Sequence, residues 1–305
     1  MNFPRITGLV AATHTPFKTD GSLNLAIVEK QAEHLLKNGV TAAFIGGTTG
    51  ESHSLSLDER RQLTRRWCEV ARGTPMRIVV HVGANCLTDA AALAAQAQQL
   101  GAVAIAALAP SYFKPRDVAA LTACYAEIAA AAPGTPFYAY DIPELTGVNL
   151  SMPEFLEQAR DRIPTLAGLK FTNPNLMAYQ LCLHLDDGAF DVLWGLDEYL
   201  LAALALGGQG AVGSTYNFAA PIYLRLIQAF RAGDLETARR EQFRSVQCIR
   251  LLAQFGFMGA CKATMKMLGV DVGPARLLQG NPTPEQAAKL QSLLENLGFF
   301  DWIRV

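Results

Sequence analysis

The chain has 305 residues, is 50% hydrophobic and carries 26 Lys and Arg against 27 Asp and Glu, a formal charge of -1. That length and apolar share support a large core, and the charge balance excludes the basic surface that a nucleic-acid partner requires. Scattered cysteines without a CxxC pair, no charge-free apolar run long enough for a membrane span and no signal-like N-terminus point to a reduced, cytoplasmic, non-membrane protein.

Strand-like apolar runs alternate with helical stretches across short joins. ITGLVAA (6–12) is the first strand, and LAIVEKQAEHLLKNG (25–39) an amphipathic helix closed by glycine. TAAFIGG (41–47) is a strand; SLDERRQLTRRWCEVARG (56–73) is a helix with Ser56 and Glu59 spaced as a capping box. Strand MRIVVHV (76–82), helix LTDAAALAAQAQQLG (87–101), strand AVAIAALAP (102–110) and helix RDVAALTACYAEIAAAAPG (116–134) continue the alternation. Then come strand PFYAY (136–140), helix MPEFLEQAR (152–160), strand TLAGLK (165–170) and helix PNLMAYQLCLHL (174–185). Strand FDVLWG (190–195), helix EYLLAALALGG (198–208) and strand QGAVGS (209–214) complete the series.

Eight apolar strands with intervening helices fit a parallel sheet covered on both faces. A closed α/β (β/α)8 TIM barrel is preferred to a doubly wound open sheet because the strands number eight and are evenly spaced. The expected division is a barrel core over 1–218 and a helical extension over 219–305 packed on it.

The C-terminal strand ends of such a barrel carry the active site. Here they carry THTP (13–16), GGTTGE (46–51), His81, Asn85, PSYFKP (110–115), YAYDIP (138–143), Lys170 with Thr172, WGLDE (194–198) and GSTYN (213–217). Polar residues begin wherever strands end, which accounts for most of these. It does not account for Lys170, since an unpaired amine in an apolar strand costs several kcal/mol of solvation. A buried amine is driven toward its neutral, nucleophilic form, which attacks a ketone to form an imine. Tyr140, ending the neighbouring strand, is a proton carrier within reach, and GGTTGE offers backbone N–H groups and two hydroxyls to an anion. Other signals are weak. GQGAVG (208–213) matches G-x-G-x-x-G but falls late in the series, without a first βαβ unit. The five histidines form no metal-ligand spacing, and Cys86 has no activating partner, so neither metal nor cofactor is expected.

GGTTGE, YDIP (140–143), GLK (168–170) and GSTYN in this order resemble the superfamily of dihydrodipicolinate synthase and N-acetylneuraminate lyase, and GLVAATHTP, HVGAN, FYAYDIPELTGV and WGLDE are similar to its lyase branch. The resemblance implies a class I aldolase that needs no cofactor and works as a homotetramer. It makes Lys170 the Schiff-base lysine, Tyr140 the catalytic tyrosine, and Thr48 and Thr49 the holders of the pyruvate carboxylate, with Thr49 also in the proton transfer. Many lyases have serine where Thr48 stands; the hydroxyl is kept. Tyr112 matches a tyrosine lent by a neighbouring subunit. Where the synthase branch has an arginine for a second carboxylate, this chain has Leu145, an apolar wall. Sugar-binding groups match Thr172, the backbone of Gly195, Asp197, Glu198 and Ser214, with Asn173 and Asn175 as further contributors. The implied reaction is reversible cleavage of N-acetylneuraminate to pyruvate and N-acetylmannosamine; the alternative is another pyruvate-dependent lyase acting on a different 2-keto sugar acid.

Overall fold

The computed structural model of the chain describes residues 3–304. The expected outer limits at residues 1 and 305 therefore lie outside the described residues. Eight parallel strands, β1 (Gly8–Ala12), β2 (Ala42–Ile45), β3 (Arg77–His81), β4 (Ala104–Leu108), β5 (Phe137–Asp141), β6 (Leu166–Phe171), β7 (Asp191–Trp194) and β8 (Gly210–Gly213), close in sequence order, β1 pairing with β8. The barrel expected from the alternation is the one observed.

Helices α1 (Ile27–Lys37), α2 (Leu57–Ala71), α3 (Leu87–Gln99), α4 (Val118–Ala130), α5 (Pro143–Thr146), α6 (Met152–Ala159), α7 (Leu176–His184) and α8 (Leu200–Ala205) lie between the strands. The capping box at Ser56 forms as read, and Asp117, Ser151 and Asn175 cap α4, α6 and α7 through backbone N–H groups three residues on. Each cap satisfies donors that the first helical turn leaves free. Helices α9 (Ala220–Arg231), α10 (Leu235–Ala253), α11 (Phe257–Met267), α12 (Pro284–Leu297) and α13 (Phe299–Trp302) follow β8. Among the described residues no helix is long and apolar enough to cross a membrane.

Two apolar clusters follow from the strand alternation. Small and aromatic residues including Val10, Ala42, Phe44, Ala106, Tyr138 and Val212 fill the barrel interior, and a larger shell joins the outer strand faces to the helices. The β5–β6 register slips between Phe137 and Tyr138, whose partners are Leu166 and Gly168. The extra residue, Ala167, is a bulge of the kind that re-aims side chains. Beyond it, Lys170 pairs with Tyr140 across β5–β6.

Three local expectations needed correction. Strands β5 and β6 each run one residue further than read, so Tyr140 and Lys170 are penultimate rather than terminal. A short helix, α5, lies between β5 and α6; Pro143 at its first position suits a helix start but reads in sequence as a turn. Asp197 and Glu198 sit in a 3-10 turn, so Glu198 precedes α8 rather than opening it.

Candidate active site

The Lys170 side chain enters the barrel interior. Its Nζ lies 3.9 Å from the Tyr140 ring centroid and 4.2 Å from that of Phe44. The residue is 4% exposed, and among the described residues no carboxylate or other acceptor reaches Nζ. The aromatic faces favour a cation electrostatically but offer it no hydrogen bond.

Tyr140 stands edge-on to Phe44 and His81. Its hydroxyl is 3.2 Å from Thr48 Oγ1, and Thr49 Oγ1 is 2.6 Å from Ser214 Oγ. Two separate hydroxyl pairs thus tie the turn after β2, one to β5 and the other to the residue after β8. Within that turn, Glu51 donates its N–H to Thr48 O and Ser52 to Gly47 O. Among the described residues the N–H groups of Thr48, Thr49 and Gly50 meet no backbone acceptor.

The turn is held from below and from the side. His81 bridges strands: its Nδ1 contacts Gly46 O at 2.9 Å, and its Nε2 accepts the Leu108 N–H at 3.3 Å. Burial, then the nearby Arg60 charge, keeps this imidazole well below its ordinary pKa and so neutral. Arg60 donates to the carbonyls of Gly83 and His81. On the other side Glu51, in left-handed backbone at φ 55°, pairs with Lys262 Nζ at 2.6 Å and accepts the Arg276 N–H at 2.8 Å.

Opposite this turn lie the groups assigned to a polyhydroxy chain. Thr172 Oγ1 is buried and has no hydrogen-bond partner among the described residues. It fits because position 195 is glycine: a Cβ there would lie 2.0 Å from Thr172 Oγ1. The Gly195 N–H already donates to Phe171 O at 2.8 Å, so only its carbonyl remains free. Asp197 is buried, and its Oδ2 accepts both the N–H (2.8 Å) and the hydroxyl (2.6 Å) of Thr215. Burial pushes its carboxyl up to about 7, with the Thr215 hydrogen bonds opposing and Glu198 adding to the rise. Glu198 is half-buried beside it. Ser214 stands with Thr49 rather than with these carboxylates.

Leu145 is 63% exposed on α5 and lines a cavity of about 170 Å³ with Thr48, His53, Ser111, Ile142 and Gln279. Tyr112 projects outward, 78% exposed and edge-on to the equally bare Phe113, on a loop held by Asn85 Oδ1 through the N–H groups of Ser111 and Tyr112. It is not among the residues that line the cavity beside Leu145. Asn173 donates to Asp141 Oδ2 at 3.0 Å and Asn175 caps α7, so both are engaged within the fold. Asp141 itself, pushed up to about 6 by burial with Asn173 opposing, was not singled out in sequence. Nor were Lys262, Thr215 and Tyr223, which stand behind the site.

The chain matches the model of the Dihydrodipicolinate synthetase family over residues 5–297. It is 40% identical to the N-acetylneuraminate lyase of Mus musculus over 305 aligned residues, 98% of this chain and 95% of that one. The solved N-acetylneuraminate lyase (sialic acid aldolase) of Aliivibrio salmonicida superposes with a TM-score of 0.94 at 40% identity, covering 97% of this chain and 98% of that structure. A DHDPS from Cyanidioschyzon merolae, solved with lysine bound, superposes with a TM-score of 0.87 at 30% identity, over 95% of this chain and 97% of that one.

Proposed function

The chain belongs to the dihydrodipicolinate synthetase family, and on that premise we propose that it cleaves N-acetylneuraminate reversibly to pyruvate and N-acetylmannosamine through a Schiff base on Lys170. The observation that carries the chemistry is the buried amine of Lys170, beside Tyr140 and without an ion-pair partner among the described residues. The near full-length likeness to N-acetylneuraminate lyases at 40% identity carries the choice of substrate.

The open-chain substrate places its carboxylate against the Thr48 and Thr49 hydroxyls and the N–H groups of that turn. The Lys170 amine attacks the C2 carbonyl carbon, and water leaves as the protonated imine forms. The C4 hydroxyl loses its proton, and the C3–C4 electron pair moves into the imine, leaving an enamine on Lys170 and the aldehyde of N-acetylmannosamine. Tyr140 carries that proton, its hydroxyl being held by Thr48 at 3.2 Å. Protonation of the enamine at C3 restores the imine, and water releases pyruvate and the free amine. Thr172, the Gly195 carbonyl, Asp197 and Glu198 receive the hydroxylated tail, and exposed Leu145 gives a second carboxylate nothing to pair with.

The same reading extends to assembly and location. The bare Tyr112 and Phe113 pair fits a surface covered in a homotetramer, Tyr112 serving a neighbouring subunit's mouth beside Thr48. Six free cysteines, four of them buried, suit a reducing cytoplasm.

Borohydride reduction with pyruvate, followed by peptide mapping, tests the chemistry: the adduct is expected on Lys170, and an adduct on any other lysine overturns the assignment. Cleavage rates across several 2-keto sugar acids test the substrate, with N-acetylneuraminate expected to be fastest.

A further inference from the structure

Asp197 stands at the inner end of a buried chain of hydroxyls that leaves the barrel. Thr215 Oγ1 donates to Asp197 Oδ2 at 2.6 Å; Tyr223 on α9 is 2.6 Å from Thr215 Oγ1; Ser245 on α10 is 2.7 Å from the Tyr223 hydroxyl. Thr215, Tyr223 and Ser245 are all buried. A carboxylate only accepts, so Thr215 must spend its single proton on Asp197. Tyr223 must then donate to Thr215, and the Ser245 proton goes to Tyr223 at 2.7 Å, with the Asp197 carbonyl a longer second acceptor at 3.5 Å. All the dipoles point one way, toward the carboxylate, and such chains strengthen each member. The Asp197 backbone is held from the same helix, its carbonyl accepting Gln242 Nε2 at 3.1 Å. Gly213 makes room for the carboxylate: a Cβ there would lie 1.9 Å from Asp197 Oδ1.

Resting on the reading of Asp197 as a receiver of sugar hydroxyls, we propose that Thr215, Tyr223 and Ser245 are positioning residues for the sugar half of the substrate, so that helices α9 and α10, outside the barrel, set affinity for the sugar acid. The chain fixes Oδ2 on Thr215, in the turn after β8, and leaves Oδ1, beside Gly213, as the acceptor for substrate. It makes no contact with the pyruvate end.

The groups that face Asp197 are Lys170 on β6, Glu198 beside it, Tyr216 in the turn after β8, Tyr223 on α9 and Cys261 on α11. The ionised form accepts hydroxyls, so kcat/KM for the sugar acid rises with pH through about 7, where this carboxyl ionises. Loss of a donor along the chain destabilises the carboxylate and moves that limb to higher pH.

The test is a graded series, Thr215→Val, Tyr223→Phe and Ser245→Ala, with Tyr216→Phe as control. The Tyr216 ring lies 4.7 Å from that of Tyr223, and its buried hydroxyl has no partner among the described residues. Steady-state kinetics with N-acetylneuraminate across pH 5 to 9 and borohydride trapping with pyruvate are read on each. In Tyr223→Phe, KM is expected to rise about fivefold with kcat within about twofold, as loss of roughly one relayed hydrogen bond implies. The alkaline shift accompanies it. Thr215→Val exceeds this effect, Ser245→Ala falls below it, and trapping stays at the wild-type rate in every variant. Unchanged KM in Tyr223→Phe, or an equal rise in Tyr216→Phe, overturns the proposal. Failure of the wild-type enzyme to trap pyruvate overturns the Schiff-base reading instead.

Discussion

Lys262 on α11 and Lys170 on β6 are almost equally buried, at 2% and 4% exposure, yet their amines meet opposite surroundings. Lys262 Nζ pairs with Glu51 at 2.6 Å and donates to the carbonyls of Thr15 (2.9 Å) and Pro274 (3.0 Å). Two hydrogen bonds and one ion pair hold this ammonium. Lys170 has two aromatic faces and no acceptor among the described residues. Both lysines sit over rings, Lys262 at 4.4 Å from that of Phe17, so the aromatic neighbours do not separate them. The carboxylate does. A buried lysine paired with a carboxylate ties the fold together, and the proposed function assigns the unpaired one to a substrate carbonyl.

Lys170→Ala gives the largest effect. Cleavage is expected to fall by at least on the order of 10³-fold, because the covalent step has no substitute. Thermal stability should hold or rise, since removal of an unpaired buried amine relieves desolvation. Activity assays with melting curves check both, and a melting loss as large as that of a Lys262 variant would erase the contrast between the two lysines.

Tyr140→Phe comes next, at roughly 10²-fold slower turnover, the range for a lost proton carrier. The ring stays under Lys170 and the fold is untouched. Pyruvate trapping continues at a reduced rate. Near-normal cleavage would assign the proton to another group.

The Lys170 half of this comparison was legible in the sequence, and the Lys262 half was not. Parallel strands covered on both faces read as continuous apolar runs, so the barrel and its polar strand ends stood out, with Lys170 anomalous among them. Glu51 and Lys262 are 211 positions apart, and no periodicity announces a pair across that distance. A signal existed in FMGACKATMKM (257–267), where Lys262 falls among small and apolar residues, one turn before the surface Lys266 in the last turn of the helix. The Asp197 chain was hidden for the same reason: Thr215, Tyr223 and Ser245 are ordinary residues until α9 and α10 fold back. Helix α5 escaped because four residues opened by proline are too few for a helical period.

Lys262→Met breaks the structural pair and leaves Glu51 buried without its counter-charge. Such losses cost about 3–5 kcal/mol, and the urea midpoint should fall accordingly. Because Glu51 belongs to the turn that carries Thr48 and Thr49, pyruvate affinity should weaken with it. Wild-type pyruvate trapping in a variant this destabilised would show that the turn keeps its shape without Lys262.

The smallest change is expected when both partners are neutralised together. Glu51→Gln alone leaves an ammonium without its carboxylate. Burial already pulls Lys262 below its ordinary range, and Glu51 is what opposes it. Without Glu51 the folded state holds the Lys262 proton less tightly than the unfolded chain does. More protons are then bound unfolded than folded, so stability rises with pH on the alkaline side of neutrality, more steeply than in the wild type. The double variant Glu51→Gln with Lys262→Met has no charge to compensate. Buried pairs replaced by neutral groups of similar volume are often neutral or stabilising, and the introduced amide keeps a carbonyl for the Arg276 N–H that Glu51 accepts at 2.8 Å. Its stability should return to within about 1–2 kcal/mol of wild type and lose the alkaline slope. Urea midpoints of the four proteins between pH 7 and 9 measure this. Pyruvate trapping then separates two roles for the pair. Recovery of stability and trapping together makes the pair a matter of charge balance alone. Recovery of stability without trapping means that the ion pair itself holds the Thr48–Thr49 turn, and that Lys262 supports the chemistry proposed for Lys170.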